Sequence, residues 1–215
     1  MISPFIINDK NLFLDRFPIG QVNRSLQAWD AADEYLINHL EENNLIKTDS
    51  KILIVNDAFG ALTLNLAQQQ VYCVNDSYLS QQGIAYNQEQ NHIDDKNIHF
   101  LSSLDELPNN IDIVLFKIPK SKSLLVAQLM MLKKAFSDDV IFIAADRAKE
   151  IHSATLKVFE KHLGTTKTSL AVKKARLVFC QFDNKQLHQS PFPTVWSLAH
   201  KSTDDSPSRE FSISN

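Results

Sequence analysis

The stretch KTSLAVKKARLVFCQF, residues 167–182, decides the architecture. It holds two strand-like runs, Lys167–Val172 and Arg176–Phe182, separated only by Lys173, Lys174 and Ala175. That gap is too short for the crossover helix that parallel neighbours need, so the two runs are predicted to pair antiparallel. Upstream the rhythm is different. Short apolar runs (Lys51–Asn56, Val71–Asn75, Ile98–Leu101, Ile111–Phe116 and Val140–Ala144) alternate with segments of helical periodicity at 61–70, 77–91, 121–136 and 147–163, the last stopped at Gly164. Such alternation predicts a parallel sheet covered on both faces. Ahead of it, residues 26–43 read as an amphipathic helix with Asp30, Asp33 and Glu34 in its first turns, and Phe5–Phe17 as a short paired segment.

β/α repeats closed by a hairpin form the pattern of the S-adenosylmethionine (SAM) methyltransferase sheet. Flavodoxin-like and dinucleotide-binding sheets do not usually end that way. The expected fold is therefore α/β: a class I SAM-methyltransferase-like (Rossmann-like) doubly wound sheet, mostly parallel, with an antiparallel C-terminal hairpin strand. Residues 1–200 are expected to form this domain. Residues 201–215, KSTDDSPSREFSISN, are rich in Ser, Asp and Pro and read as a linker.

Composition excludes several functions. The chain has four glycines (Gly20, Gly60, Gly83 and Gly164), where average usage would give about fifteen. No two lie within ten residues of each other, whereas a loop that cradles phosphates needs several together. The glycine count thereby speaks against P-loop proteins and fully equipped dinucleotide binders. The first twenty residues carry no long apolar run and no small-residue cleavage site, and nothing reaches the roughly 18 apolar residues of a membrane span. A cytoplasmic protein without membrane contact is expected, with Cys73 and Cys180 as buried reduced thiols. The seven histidines (39, 92, 99, 152, 162, 188 and 200) do not meet Cys or acids at metal-ligand spacing, so no metal site is expected. Nothing suggests a coiled coil or repeat, and a monomer is expected.

Ligands of doubly wound sheets sit beyond the C-terminal ends of the strands. After the first strand stands Asn56-Asp57-Ala58-Phe59-Gly60, where a working cofactor loop would have an acid followed by glycines. Asp57 and Gly60 keep the outer positions, but the Phe59 ring would either occupy the ligand's space or fold back onto the core. After the second strand, Asp76 could hold a ribose diol or cap the helix that starts at Ser77. Asp57, Gly60 and Asp76 thus read as vestiges of a degenerate cofactor site, with no cofactor expected in this segment. After the fourth strand, base-modifying amino-methyltransferases keep an Asn/Asp-Pro-Pro-aromatic loop; here the sequence is Phe116-Lys117-Ile118-Pro119-Lys120. Lysine cannot accept a hydrogen bond from an amine, so no catalytic residue is expected here.

What remains is charge. Residues 1–110 carry 6 basic and 15 acidic side chains, residues 111–215 carry 16 and 10, and residues 117–176 carry 13 and 5. Lys117, Lys120 and Lys122 fall at the fourth strand's exit and Arg147 and Lys149 at the fifth's, on one sheet edge. Lys173, Lys174 and Arg176 cluster in the hairpin, whose relation to that edge the sequence leaves open. These eight residues are the candidates for phosphate contacts with a polyanion. With few aromatics among them, duplex or backbone recognition is favoured over stacking on single strands.

The segments LQAWDAADEYL (26–36), ILIVNDAFGALTLNLA (52–67), NDSYLS (75–80), KIPKSKSLL (117–125) and IHSATLKVFEKHLGTTKTSLAVKKARLVFC (151–180) resemble the N-terminal half of the RlmG family over roughly residues 11–200. Its members are bacterial large-subunit ribosomal RNA guanine-N2 methyltransferases, related to the small-subunit RsmC enzymes. The resemblance implies two tandem methyltransferase-like domains. The C-terminal one would carry the glycine loop, the Asn-Pro-Pro-Phe motif and SAM. This chain would be the degenerate N-terminal one, cut in the linker, that helps hold large-subunit ribosomal RNA and supports the catalytic domain. No catalytic residue of the family carries over. Three readings follow: a non-catalytic RNA-binding and scaffolding domain, a free-standing SAM-dependent methyltransferase with an atypical loop, or a purely structural partner of the catalytic domain.

Overall fold

A computed structural model describes residues 4–20 and 26–183, together with 195–196 and 211–212. The chain opens with a hairpin of β1 (Phe5–Ile7) and β2 (Lys10–Leu12), followed by α1 (Ala31–Glu42). β3 (Lys51–Val55), α2 (Ala61–Asn65), β4 (Gln70–Val74), α3 (Tyr78–Gln90) and β5 (Ile98–Leu101) then form one half of a sheet. β6 (Ile113–Lys117), α4 (Lys122–Ala135), β7 (Ile141–Arg147), α5 (Ser153–His162), β8 (Thr166–Thr168) and β9 (Ala175–Cys180) form the other. The strand order is β5-β4-β3-β6-β7-β9-β8; β3 to β7 are parallel, and β9 runs antiparallel between β7 and β8. The hairpin read at 167–182 is therefore present. Two further residues, Val195–Trp196, pair with Phe211–Ser212; the rest of the linker read at 201–215 lies outside the described residues.

Period-two alternation sorts each central strand onto two cores. Ile52, Ile54, Ile113, Leu115 and Ile143 face α1, α2 and α3, while Leu53, Val55, Val114, Phe116 and Phe142 face α4 and α5. The strands are apolar on both sides for that reason.

Three helices are shorter than expected. α1 begins at Ala31 rather than near residue 26, because Asp30 caps it: the Asp30 carboxylate accepts from the N–H groups of Ala32 and Asp33, and Asp33 returns a bond to the Asp30 N–H. α5 begins at Ser153 rather than near 147, because pairing with β9 (Asp146 opposite Arg176, Arg147 opposite Ala175) keeps β7 extended to Arg147. α2 ends at Asn65 instead of running to residue 70. Cys73 and Cys180 are buried free thiols, and burial pushes each up to about 12. No helix among the described residues is long and apolar enough to cross a membrane.

Candidate functional site

Strand order reverses between β3 and β6, and the crevice at that point is where an open α/β sheet takes its ligand. Here the protein's own groups fill it. Asn56, directly after β3 and at φ 65°, donates through Nδ2 to the Lys117 carbonyl (2.9 Å) and to Gln128 Oε1 (2.8 Å), and its Oδ1 accepts from Gln128 Nε2 (2.8 Å). Gln128, on α4, is fully buried. On the other face the Lys117 ammonium lies 2.6 Å from Asp33 and 2.9 Å from Asp30, so the start of α1 is tied across the end of β6.

This arrangement corrects one expectation. Lys117 is a buried ion-pair partner rather than a phosphate contact, its side chain only 15% exposed. Burial works to lower the ammonium's pKa, but Asp33 and Asp30 outweigh it and hold it above its ordinary value. Asp33 is buried completely, which pushes its carboxyl up to about 6 despite the opposing pull of Lys117. Burial also raises Asp30, yet Lys117 and two backbone N–H groups leave it below its ordinary value.

The loop after β3 has the same inward character. The Asp57 carboxylate is buried and accepts from the N–H groups of Gly60 (3.2 Å) and Thr63 (2.8 Å), capping α2, while Asn75 Nδ2 donates to the Asp57 carbonyl (2.5 Å). Gly60 takes φ 95° at the helix entrance. Of the two dispositions open to Phe59, the ring takes the folded one. It lies against α3 at Gly83, where an added Cβ would sit 2.8 Å from the ring, and the Arg16 guanidinium stands 5.0 Å from the ring centre. Asp76 does not cap α3; Ser77 does so itself, and Asp76 accepts from the Ser103 N–H (2.7 Å) and hydroxyl (2.5 Å). With Asp57 consumed by a helix cap and Asp76 by Ser103, these residues do not fit SAM.

The hairpin's position is now defined. The Ala148 N–H donates to the Lys174 carbonyl (2.7 Å), which brings Lys173 and Lys174 to the same sheet edge as the β7 exit. Lys173, 70% exposed, pairs with Glu34 on α1 at 2.8 Å, and Lys174 is exposed. Arg147 and Lys149 approach Glu150 at 3.3 and 3.9 Å, and both are exposed. Arg176 is half-buried beside Asp146 across β7 and β9, its Nε without a hydrogen-bond partner among the described residues. Lys120 and Lys122 line a cleft of about 360 Å³ between the starts of α4 and α5, with Asp146 and Glu150 also on its walls and Leu125 and Val158 among its apolar residues. Burial raises the Asp146 carboxyl. Among the described residues no group of three or more His, Cys, Asp or Glu could hold a metal ion. Sequence reasoning missed Asn56, Gln128, Asp30 and Asp33 as the filling of the crevice; the Asp30-x-x-Asp33 capping pattern was the one local signal.

A parallel sheet with a single reversed strand inserted next to its edge defines the class I SAM-methyltransferase fold, here with Asn56, Gln128 and Lys117 bonded across its ligand crevice. Solved structures agree on the fold. The T. thermophilus 16S rRNA N2 G1207 methyltransferase RsmC, in complex with AdoMet and guanosine, superposes with a TM-score of 0.63 at 20% identity, covering 84% of this chain and 50% of that one. An rRNA methylase from Streptococcus thermophilus does so with a TM-score of 0.53 at 13% identity, over 71% of this chain and 97% of that one. Residues 2–184 match the RLMG N-terminal domain, and the chain belongs to that family. It is 70% identical over 220 aligned residues to the ribosomal RNA large subunit methyltransferase G of Colwellia psychrerythraea, covering 100% of this chain and 56% of the relative. It is 49% identical over 197 residues to the protein of that name from Vibrio vulnificus, covering 91% of this chain and 51% of the relative. The chain thus spans about half the length of the curated relatives it matches.

Proposed function

We infer that this chain is the non-catalytic, RNA-binding and scaffolding half of a SAM-dependent ribosomal RNA guanine-N2 methyltransferase that acts on large-subunit RNA. The observation that carries this is the closed crevice: Asn56, Gln128 and the Lys117–Asp30–Asp33 triad stand where a cofactor would enter, so SAM and the chemistry belong to the other half of the protein. Residues 1–200 form the methyltransferase-like domain, and 201–215 lead to the catalytic one. Its partners are large-subunit ribosomal RNA and that catalytic domain, and it works as a cytoplasmic monomer without membrane contact. The exposed cations Lys120, Lys122, Arg147, Lys149, Lys173 and Lys174, with Arg176 half-buried among them, supply a phosphate-binding edge. The relatives' names and the likeness to RsmC support RNA as the polyanion.

Two measurements test this reading. Calorimetric titration of SAM into the 215-residue chain is expected to give no heat beyond dilution; one-site saturation would restore the free-standing enzyme. Filter binding to protein-free large-subunit rRNA is expected to weaken steeply as KCl rises from about 50 to 200 mM, by roughly 0.7–0.9 log units of affinity per log unit of salt for each phosphate contact. An affinity that ignores salt would overturn the phosphate-binding edge, and none at all would leave the chain as a purely structural partner.

A further inference from the structure

The turn that joins the last two strand runs contradicts its own sequence. Val172 and Ala175 exchange both backbone hydrogen bonds (2.9 and 2.8 Å) around Lys173 at φ 46° and Lys174 at φ 69°. A two-residue turn with positive φ at both centres is the type I′ hairpin, for which Asn-Gly is the usual pair. An L side chain in the left-handed region is strained against its own backbone, and two consecutive lysines there are doubly so. The turn is nevertheless held from both sides, by the Ala148 N–H on the Lys174 carbonyl and by Glu34 on the Lys173 ammonium. Its position is fixed next to Arg147 and Lys149, while Lys174 projects into solvent.

We propose that the Lys173–Lys174 turn is a rigid contact for consecutive backbone phosphates of the RNA, kept at the cost of fold stability. The proposal rests on the RNA-binding reading above and names the element that carries it. The preset turn fixes where both lysine stems begin, so only side-chain torsions are left to order against two phosphates, where a flexible lysine tail must order its backbone as well. Lys173 keeps Glu34 and meets phosphate on its open side, its side chain being 70% exposed and its ammonium carrying three donors.

The test replaces the pair with the turn's preferred residues, K173N/K174G, and measures melting together with filter binding to protein-free large-subunit rRNA. The variant is expected to melt about 2–4 °C higher, since strain is relieved. Its RNA affinity should fall about tenfold near 100 mM KCl, with a log–log salt slope shallower by one to two. K173R/K174R should keep the affinity. K47Q/K96Q, which removes the same charge at the opposite edge of the sheet, should leave it within about twofold. Unchanged RNA affinity in K173N/K174G, an equal loss in K47Q/K96Q, or a melting point that does not rise would each overturn the turn's role. Failure of the unaltered chain to bind RNA would instead overturn the RNA-binding reading itself.

Discussion

Replacing Lys117 with methionine is expected to destabilise the domain by about 3–5 kcal/mol near pH 8, the cost of breaking a buried pair from one side. Asp33 would be left buried with its charge uncompensated, 84 residues in sequence from the lysine that neutralises it. The pH dependence separates this cause from lost packing. Asp33 already binds its proton more tightly in the folded protein than an unfolded carboxyl does, with a folded value pushed up to about 6. Between that value and the unfolded one the folded state holds the extra proton, so this group's contribution to stability increases as pH falls through 6. Without the Lys117 ammonium the folded value rises further, and the deficit of K117M should shrink markedly between pH 8 and pH 5 in urea melts. The double variant K117M/D33N, which keeps an acceptor for the Asp30 N–H, should recover most of the loss at pH 8. A deficit that is the same at both pH values would assign the loss to packing alone.

The triad also shows which parts of the molecule were legible beforehand. Strand runs were visible because two-sided burial writes an unbroken apolar stretch, and all of β3, β4, β5, β6 and β7 fall within a few residues of their expected places. The reversed strand was visible because three residues cannot hold a helix. Helix starts were less so. Residues 26–30 and 147–152 suit a helix locally, and only the Asp30 cap and the pairing of β7 with β9 end or delay it. The same limit governed the site. The scarcity of glycines and the two dispositions open to Phe59 could be read from one short loop, but which of the two the ring takes depends on Gly83 of α3. That Lys117 would be buried was not, since its partners Asp30 and Asp33 come from the other end of the chain. Nor could spacing tell that the hairpin would meet the β7 exit, because that depends on the register Arg147–Ala175 and on the bond from Ala148 to Lys174.

Gly164→Ala is the second substitution with a large expected effect, about 3–5 kcal/mol, and it probes the reversed strand. Gly164 follows α5 at φ 147°, a conformation that strains any L side chain. A Cβ there would run into the Gln181 carbonyl oxygen and lie 2.8 Å from the Asp183 N and 3.1 Å from the Asp183 Cβ. Two of those contacts are backbone, so no rotamer change relieves them, and overpacking adds to the conformational cost. The crowding has a structural cause. The Asp183 N–H donates to the Leu163 carbonyl (2.9 Å) and the Gln181 N–H to the Thr165 carbonyl (3.0 Å), so the chain leaving β9 is laced directly onto the residues around Gly164. Lys133 on α4 closes the same corner, donating to the Leu163 carbonyl (3.0 Å) and to the Asp183 carboxylate (2.6 Å). Alanine must push that corner apart, which loosens β8 and β9 together while β3, β4 and β6 keep their own cores. Amide exchange should therefore accelerate first in β8, β9 and the end of α5, with β3 and β6 losing the least protection. By contrast, Gly60→Ala, also at a positive φ, would set its Cβ 2.9 Å from Leu64 Cγ and Cδ1, side-chain rather than backbone atoms, and should cost less than Gly164→Ala. If Gly164→Ala melts like the unaltered chain, the join between α5 and β8 is looser than the described geometry, and the hairpin's hold on the sheet must come from the β7–β9 ladder alone.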